Sequence, residues 1–278
     1  MKSASSDVEV SKIVGSLSFD PFLKFKEDVE DNGEMVYLLP MLQFPKIDLN
    51  DDFNFTSDLL EWLSKSNPEK KVQLDEESNQ ENRVSSNQYG REDIVDDFHL
   101  ISGYLNPPNE FLEHLSEIEA ENMSFIGASP EANSFFNAPF PKYLVPYFYQ
   151  KMMLLLREKI LTKSNKKAKF YEFFPEYDKP FKAKTFHAKG LFVKTKNDSF
   201  ESFLGTIGSG NFADRSYFRD NELNFWVYSK NPKLGQIFDN ERDEMIRECR
   251  ELDPKKTKSK GGLRAMIFNL IMKFSKMG

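Results

Sequence analysis

The stretch FHAKGLFVKTKNDSFESFLGTIGSGNFADRSYFRDNE, residues 186–222, carries the strongest indications of both the fold and the chemistry of this chain. Residues 184–195 are rich in Phe, Val and Thr and lack helical periodicity, which favours a β-strand. Side chains two positions apart on a strand share a face, so His187 and Lys189 are predicted to point the same way.

A second predicted strand, residues 203–207, leads directly into the turn Gly208-Ser209-Gly210-Asn211. Two glycines flank a hydroxyl there, and a carboxamide follows. Such a turn offers backbone N–H groups, a hydroxyl and an amide to phosphate oxygens. Together with the histidine and the lysine, it predicts a site that handles a phosphodiester.

The residue types of this cluster suit displacement at phosphorus. Imidazole has an unperturbed pKa of about 6.5 and can act as a nucleophile or an acid. We predict that His187 attacks phosphorus, while Lys189, Ser209 and Asn211 stabilise the phosphoryl oxygens. Glu222 is predicted to accept a hydrogen bond from the second ring nitrogen of His187 and so fix its tautomer. This chemistry requires neither a metal nor a cofactor.

His187-x-Lys189, followed by Gly208-Ser209-x-Asn211 and Glu222, resembles the HxK...GSxxN signature of the phospholipase D superfamily, with the spacing GSxN in this chain. The words ISGYLNPP at 101–108, SFIGASPEANSFF at 124–136, FHAKGLF and TIGSGNFADRSYFRDNELN are similar to the eukaryotic mitochondrial phosphatidylglycerophosphate synthases. The resemblance covers roughly residues 98–250. It implies transfer of a phosphatidyl group from CDP-diacylglycerol to glycerol 3-phosphate with release of CMP, through a phosphatidyl-histidine. It also implies a location on the matrix side of the mitochondrial inner membrane.

The chain departs from the superfamily pattern in two respects. Lys194 stands five residues after Lys189, where the superfamily often has an aspartate, which favours a phosphatidyltransferase over a phospholipase or a nuclease. Superfamily members also carry two HxK motifs, but neither His99 nor His114 is followed by a lysine two residues on.

Three explanations of the single motif stay open. A homodimer would pair two copies of His187, a longer protein would supply a missing N-terminal half, and an inactive relic would need neither. The match to the second half of the synthases favours a truncated or split gene product. The alternative functions are a phospholipase or phosphatidylserine synthase of the same superfamily, and a catalytically incomplete lipid-surface binding module.

Residues 98–104, 109–118 and 123–128 read as strand, helix and strand, a βαβ-like unit. Such units place functional side chains at the carboxyl ends of their strands. Arg215 is predicted to bind a substrate phosphate, although an ion pair with Asp220 is an equal alternative. The candidate substrate contacts after the two strands are Ser102, Tyr104, Asn106, Ser129, Glu131, Asn133 and Ser134.

With a further strand at 223–228 and a helix at 233–250, the predicted fold class is α/β. The resemblance implies a phospholipase D-like mixed sheet with helices on both faces, one half of a two-half fold. The predicted organisation is an N-terminal strand and helix segment at the core edge (1–66), a disordered polar insertion (67–96), a catalytic half-domain (97–250) and a basic amphipathic tail (254–278).

Charge limits the partners of this chain. A net charge of −6 argues against nucleic acid as a partner. The tail carries Lys and Arg but no acid after Asp253, and its apolar residues follow helical spacing, which predicts an interfacial helix on an anionic membrane surface. A C-terminal helix docked on the core with a solvated basic face is the alternative.

Two further segments bear on location and lipid. Residues 140–161 predict a long apolar helix, either packed in the core or partly lining an acyl-chain groove. The first twenty residues show neither a secretory signal nor a mitochondrial presequence; if the protein is mitochondrial, we expect its address to have been lost upstream. The single cysteine, Cys249, excludes an intramolecular disulfide and is expected on a late helix.

Overall fold

The computed structural model describes residues 36–65, 94–163, 167–174, 185–197 and 200–254. Nine strands form one sheet in the order β2-β1-β8-β7-β6-β3-β4-β5-β9. β3, β4 and β5 are parallel neighbours and the other pairs are antiparallel, so the predicted mixed sheet is confirmed. The strands are β1 Val36–Phe44, β2 Leu49–Asn50, β3 Ile94–Ser102, β4 Asn122–Ala128, β5 Lys169–Phe173, β6 Lys189–Lys196, β7 Glu201–Gly208, β8 Glu222–Ser229 and β9 Cys249–Glu251.

Helices cover both faces of this sheet, as predicted. One apolar core contains residues of α1, α2 and α3, and a second core on the opposite face contains Phe238 of α5. The second core is closed by ring packing of Phe238 on Phe192, with centroids 4.8 Å apart. The helices are α1 Asp51–Ser64, α2 Asn109–Leu115, α3 Val145–Lys163, α4 Asp214–Phe218 and α5 Pro232–Arg247.

The central strands supply both cores because side chains alternate along a strand. On β6, Leu191 and Val193 belong to the first core and Phe192 to the second. On β7, Leu204 faces the first core and Phe203 the second. Strands buried on both faces read as continuous apolar runs, which is why the sequence identified them without a clean alternation.

The predicted βαβ unit is present as β3, α2 and β4, with β3 and β4 parallel. β3 begins at Ile94, three residues inside the range predicted as an insertion, because Val95 is buried and pairs with Thr195 of β6. The rest of the predicted insertion, residues 67–93, lies outside the described residues. So do residues 1–35 and residues 255–278 of the predicted tail.

Pro40 lies inside β1 without interrupting it. β1 pairs with β8 along eight consecutive positions, whereas its other side pairs with β2 only at Gln43 and Phe44. At Pro40 the strand is therefore an edge strand, the position at which a missing N–H is tolerated.

The predicted helix over 233–250 is wrong at its end. α5 ends at Arg247, and Cys249 lies on β9, which pairs antiparallel with β5. The buried carboxylate of Glu172 on β5 accepts a hydrogen bond from Arg250 Nε at 2.6 Å, and Leu252 N donates to Phe170 O at 2.8 Å. These contacts with β5 stabilise a strand where the local sequence favoured a helix.

The long helix predicted from residue 140 begins later. Residues Lys142–Leu144 form a single 3-10 turn, and α3 starts at Val145. Pro146 fits the first turn of α3, where its missing N–H removes no hydrogen bond. Among the described residues no helix is both long enough and apolar enough to cross a bilayer.

One histidine is fixed on the face of the sheet opposite α1. His99 is buried, with Nδ1 2.7 Å from Ser124 Oγ and Nε2 2.9 Å from Arg242 Nη1. A guanidinium only donates, so Nε2 accepts and Nδ1 carries the hydrogen. Burial, reinforced by the charge of Arg242, lowers the pKa of His99 to about 3, although Asp243 opposes that shift. This predicts that His99 is neutral in the folded protein at physiological pH, as expected for a structural histidine.

We predict that His99 makes the protein acid-sensitive. Its pKa is lower folded than unfolded, so its contribution to stability is full above about pH 6.5 and falls as pH drops toward 3. Lowering the pH from 7 to 5 should therefore reduce the free energy of unfolding by about 2 kcal/mol through this group. Denaturant titrations at both pH values should show that His99→Asn loses this component.

The half-exposed His114 of α2 provides the control, because His114→Asn removes a histidine without touching the pair between His99 and Arg242. If His99→Asn retains the pH dependence of the unsubstituted protein, the assignment is wrong.

Candidate active site

The predicted polar residues meet at one end of the central strands of the sheet. β6 runs antiparallel to β3, which places Ser102 at the end of β3 opposite Lys189 at the start of β6. β7 runs antiparallel to β8, which places Gly208 opposite Asn224. The ends of β3 and β7 therefore lie beside the starts of β6 and β8, and loops from distant parts of the sequence converge there.

His187 and Lys189 lie on the same side of the chain, as their spacing predicted. Lys189 Nζ is 3.1 Å from His187 Nδ1, 3.4 Å from its Nε2 and 2.9 Å from its backbone oxygen. The strand predicted from residue 184 starts only at Lys189. Gly103 N donates to Ala188 O at 3.1 Å and Phe186 N to Ala132 O at 2.9 Å, which holds the preceding residues extended outside the regular ladder.

The environment of Lys189 prepares it for an anion. Partial burial lowers the pKa of Lys189, and the Glu222 carboxylate opposes that shift. An ammonium group that has lost part of its water gains more from a phosphate oxygen than a fully solvated one. Lys189 thus offers a partly desolvated cation beside the His187 ring.

Glu222 has a different partner from the one predicted. The Ser209 hydroxyl donates to the Glu222 carboxylate and accepts from Leu223 N at 3.1 Å. Ser209 N also donates to Leu223 O at 3.1 Å. Within the described part of the chain, no hydrogen bond joins Glu222 to His187. The carboxylate orients the serine instead, because the β7–β8 register places the turn directly across from the start of β8.

The glycines of the turn are required by its closeness to Asn224. A Cβ on Gly208 would lie 1.9 Å from Asn224 Oδ1 and 2.5 Å from Leu223 O, and one on Gly210 would lie 2.7 Å from Asn224 Nδ2. No larger residue fits at Gly208 without moving backbone. The glycines thus let the carboxamide of Asn224 pack directly against the turn.

Ser102 and Asn211 form a pair across the site. Ser102 is completely buried; its hydroxyl donates to Asn211 Oδ1 and accepts from Phe212 N, both at 3.3 Å. Asn211 N donates to Ser216 Oγ at 3.0 Å. With its carbonyl oxygen engaged, Asn211 keeps its amide N–H groups for a ligand. Ser102 acts here by orienting Asn211.

The other residues predicted after β3 lie close to this pair. Asn106 forms an isolated bridge with Ala213, and its Nδ2 is 3.5 Å from Asp214 Oδ2. The ring of Tyr104 lies edge-on to His187, with centroids 6.5 Å apart, and its hydroxyl is 2.8 Å from Ser134 Oγ. Tyr104 therefore lies against the histidine itself.

The residues predicted after β4 mainly shape their own loop. Ser129 is buried and accepts from Ala132 N at 3.2 Å, and Asn133 accepts from Phe135 N at 3.0 Å. Glu131 Oε2 lies 3.8 Å from Arg250 Nη2. These polar groups are turned toward their own backbone or toward β9.

Arg215 forms the ion pair that was the alternative to phosphate binding. Its Nε lies 2.8 Å from Asp220 Oδ2, and its side chain is 71% exposed. An exposed pair contributes little to stability, so Arg215 can exchange Asp220 for a phosphate at small cost.

Asp52 is the site residue that sequence reasoning missed. It is buried in the first turn of α1 and accepts from Asn224 Nδ2 at 2.7 Å and Trp226 Nε1 at 3.1 Å. Asn224 Oδ1 in turn accepts from Gly210 N at 3.1 Å. A chain of hydrogen bonds therefore runs from α1 to the glycine turn. No local signal marks it, because Asp52 and Asn224 are 172 positions apart.

The buried position of Asp52 is costly. Burial raises the pKa of Asp52 to about 6, although the hydrogen bonds from Trp226 and Asn224 oppose the shift. A carboxylate retained in such a place indicates that its two acceptor bonds matter to the fold or the site. As for metals, the described residues contain no group of His, Cys, Asp and Glu able to hold an ion.

Comparison with known proteins supports the resemblance inferred from the motifs. The chain is 33% identical over 142 residues to the CDP-diacylglycerol–glycerol-3-phosphate 3-phosphatidyltransferase of Schizosaccharomyces pombe, covering 51% of this chain and 26% of that protein. It is 27% identical over 148 residues to the human enzyme of that name, described as mitochondrial, covering 53% of this chain and 25% of that protein. No family model matches the chain.

The fold is shared with a solved structure of about twice the size. The phosphatidylserine synthase of Haemophilus influenzae aligns with 89% of this chain and 47% of its own, with a TM-score of 0.56 and 13% identity. This likeness confirms the predicted fold and matches it to about half of that protein. The chain spans about a quarter of the length of the curated relatives it matches.

We predict that Asp52→Asn loosens the glycine turn. The substituted amide can accept from only one of Asn224 and Trp226, so one buried donor loses its partner at a cost of about 1–3 kcal/mol. Where the new amide nitrogen faces Asn224 Nδ2, that bond is lost and Asn224 is free to turn away from Gly210. Hydrogen exchange followed by mass spectrometry should show exchange in the turn faster by about tenfold or more.

The neighbouring Asp51 gives a matched control, since its side chain is half-exposed at the first position of α1. Asp51→Asn should leave exchange in the turn unchanged. Equal exchange in both variants would show that Asp52 does not hold the turn.

Proposed function

We propose that this chain is one half of a phosphatidyltransferase that takes a phosphatidyl group from CDP-diacylglycerol and passes it to glycerol 3-phosphate. The observation that carries the proposal is the pair of His187 and Lys189 beside the turn that contains Ser209 and Asn211. Lys189 Nζ lies 3.1 Å from His187 Nδ1. The names of the relatives support the choice of substrates. No cofactor enters the reaction.

The proposed reaction has two displacements. In the first, a ring nitrogen of His187 bonds to the phosphorus of the phosphatidyl group as the bond from that phosphorus to the CMP oxygen breaks. CMP leaves with that electron pair. In the second, a hydroxyl of glycerol 3-phosphate bonds to phosphorus, the bond to His187 breaks, and the hydroxyl proton passes to a base.

The residues of the candidate site have distinct roles in these steps. Lys189 and the amide of Asn211 stabilise the phosphoryl oxygens as charge develops on them. Glu222 acts through Ser209, whose hydroxyl it orients. Ser102 positions Asn211 by donating a hydrogen bond to Asn211 Oδ1. Arg215, once released from Asp220, binds the phosphate of the acceptor.

The remaining predicted contacts have supporting roles in this proposal. Asn106 holds the loop after β3 against Ala213, next to Asn211. Ser129, Glu131 and Asn133 shape the loop after β4, whose Ala132 O accepts from Phe186 N. Their substitution should therefore act through the position of His187.

A complete site needs a second imidazole as acid and base. The sequence contains three histidines. His99 is buried between Ser124 and Arg242, and His114 lies in the last turn of α2 rather than beside the glycine turn. We infer that the second imidazole comes from another half, either His187 of a second copy or an N-terminal half of a longer protein.

A second candidate function follows from the same single motif. The chain would bind a phospholipid headgroup without turnover, as a lipid-surface module. The one HxK motif favours this candidate, and the absence of product at any protein concentration distinguishes it.

We place the protein at the matrix side of the mitochondrial inner membrane. The description of the human relative as mitochondrial supports the organelle. Contact with an anionic membrane surface would be made by the tail, residues 254–278, of which the structure describes only Pro254.

We predict that His187→Ala abolishes release of CMP from CDP-diacylglycerol, by about a thousandfold or more, because the nucleophile is lost. Radiolabelled CDP-diacylglycerol without acceptor should label the unsubstituted protein on His187. His114→Ala is the matched control and should retain the activity. An unchanged rate in His187→Ala would remove His187 from the mechanism.

Solution mass separates the two sources of the second imidazole. An active homodimer should have twice the chain mass, and mixing in an excess of His187→Ala chains should inactivate it. A monomer that binds vesicles of CDP-diacylglycerol but never releases CMP would favour the binding module.

A further inference from the structure

Residues 132–157, here called the aromatic segment, have an unusual composition beside the site. They contain no Asp or Glu, whereas the chain as a whole has 44. Their cations are Lys142, Lys151 and Arg157. Their aromatic residues are Phe135, Phe136, Phe140, Tyr143, Tyr147, Phe148 and Tyr149.

Part of the aromatic segment presents apolar surface to solvent. Phe140 is 71% exposed, and its neighbours Pro139, Pro141 and Lys142 are exposed as well. Its ring centroid lies 6.1 Å from that of the half-buried Tyr143. Only one face of α3 enters the core, through Met153, Leu156 and Ile160. The exposed tip thus combines a large apolar ring with a cation and no acid.

The aromatic segment flanks His187 from two directions. At its start, Ala132 O accepts from Phe186 N at 2.9 Å, and Ser134 Oγ lies 2.8 Å from the Tyr104 hydroxyl. Further along, the ring of Tyr149 lies 4.9 Å from that of Tyr104. Tyr104 itself lies against His187. Any partner in contact with the aromatic segment therefore lies close to Tyr104 and His187.

We propose that the aromatic segment is the surface by which this chain lies on a phospholipid bilayer, with Phe140 inserted at the level of the glycerol backbone. Aromatic rings favour the membrane–water interface, and the exposed Lys142 and Lys151 attract lipid phosphates. The aromatic segment contributes no Asp or Glu of its own that would repel an anionic surface. This attachment is separate from the tail and needs no spanning helix.

The proposal rests on the proposed function, since it explains how a lipid phosphate reaches His187 without leaving the bilayer. Acyl chains would stay in the membrane beside Phe140, while the headgroup enters between Tyr104 and the glycine turn. The aromatic segment would thereby select phosphates attached to a lipid surface.

A pair of tryptophan variants tests this orientation in the full chain. Phe140→Trp puts a fluorophore at the exposed tip. Ile237→Trp puts one at another exposed position, where Ile237 is 57% exposed on α5, the helix that covers the face of the sheet opposite α3. Vesicles of phosphatidylcholine and phosphatidylglycerol with brominated acyl chains should quench the first variant beyond the unsubstituted protein and leave the second unquenched.

A second measurement gives the strength of the attachment. Phe140→Ser should weaken sedimentation with the same vesicles by about tenfold at high salt, where attraction of the tail is screened, because an inserted ring is lost. Ile237→Ser should bind like the unsubstituted protein. His187→Ala should also bind vesicles fully, so loss of activity and loss of attachment are read separately.

Equal quenching at both positions, no quenching at either, or full binding of Phe140→Ser would overturn the proposal. A doubled solution mass that Phe140→Ser halves would assign the aromatic segment to a second copy of the chain instead.

Discussion

The antiparallel pairing of β3 with β6 is the constraint on which the rest of this structure depends. On one side of it lie the parallel strands β4 and β5, and on the other the antiparallel strands β7, β8 and β1. The pair brings Ser102 opposite Lys189, and so joins a βαβ unit to the chain that carries His187. Without this register the histidine and the glycine turn would still be close in sequence, but the loops after β3 and β4 would lie elsewhere.

Two buried ionisable groups lie on opposite faces of the sheet. Asp52 lies under the glycine turn and is kept by two donors, although burial raises its pKa. His99 lies on the other face, bonded to Arg242, and burial lowers its pKa. Each group is shifted toward its neutral form, which is the expected effect of desolvation. The first contacts the candidate site, and the second fixes α5 to the back of the sheet.

Under the proposed function, the candidate site is one half of a larger one. His187 has a cation, a hydroxyl and an amide around it, but its own chain supplies no second imidazole among the described residues near the turn. The fold matches about half of a phosphatidylserine synthase, which agrees with this reading. Under the proposed function, the aromatic segment adds a physical reason for a lipid substrate, because it joins the site to exposed apolar surface.

Features that depend on local periodicity could be predicted from the amino-acid sequence alone. These are the shared side of His187 and Lys189, the glycine turn and the strands of the βαβ unit, whereas the helices on both faces followed from the family resemblance. Its errors share a different cause. A neighbouring strand sets each of the features that were predicted wrongly. These are the end of α5 at Arg247, the strand β9, the start of β6 at Lys189 and the pairing of Glu222 with Ser209.

Asp52 is the clearest case of a residue whose role depends on long-range packing. It sits in the first turn of α1, which begins at Asp51. Its partners lie on β8, far along the chain, and they touch it only because β1 pairs with β8 and α1 packs beneath them. Short-range spacing determines which side chains share a face, whereas long-range strand pairing determines which faces meet.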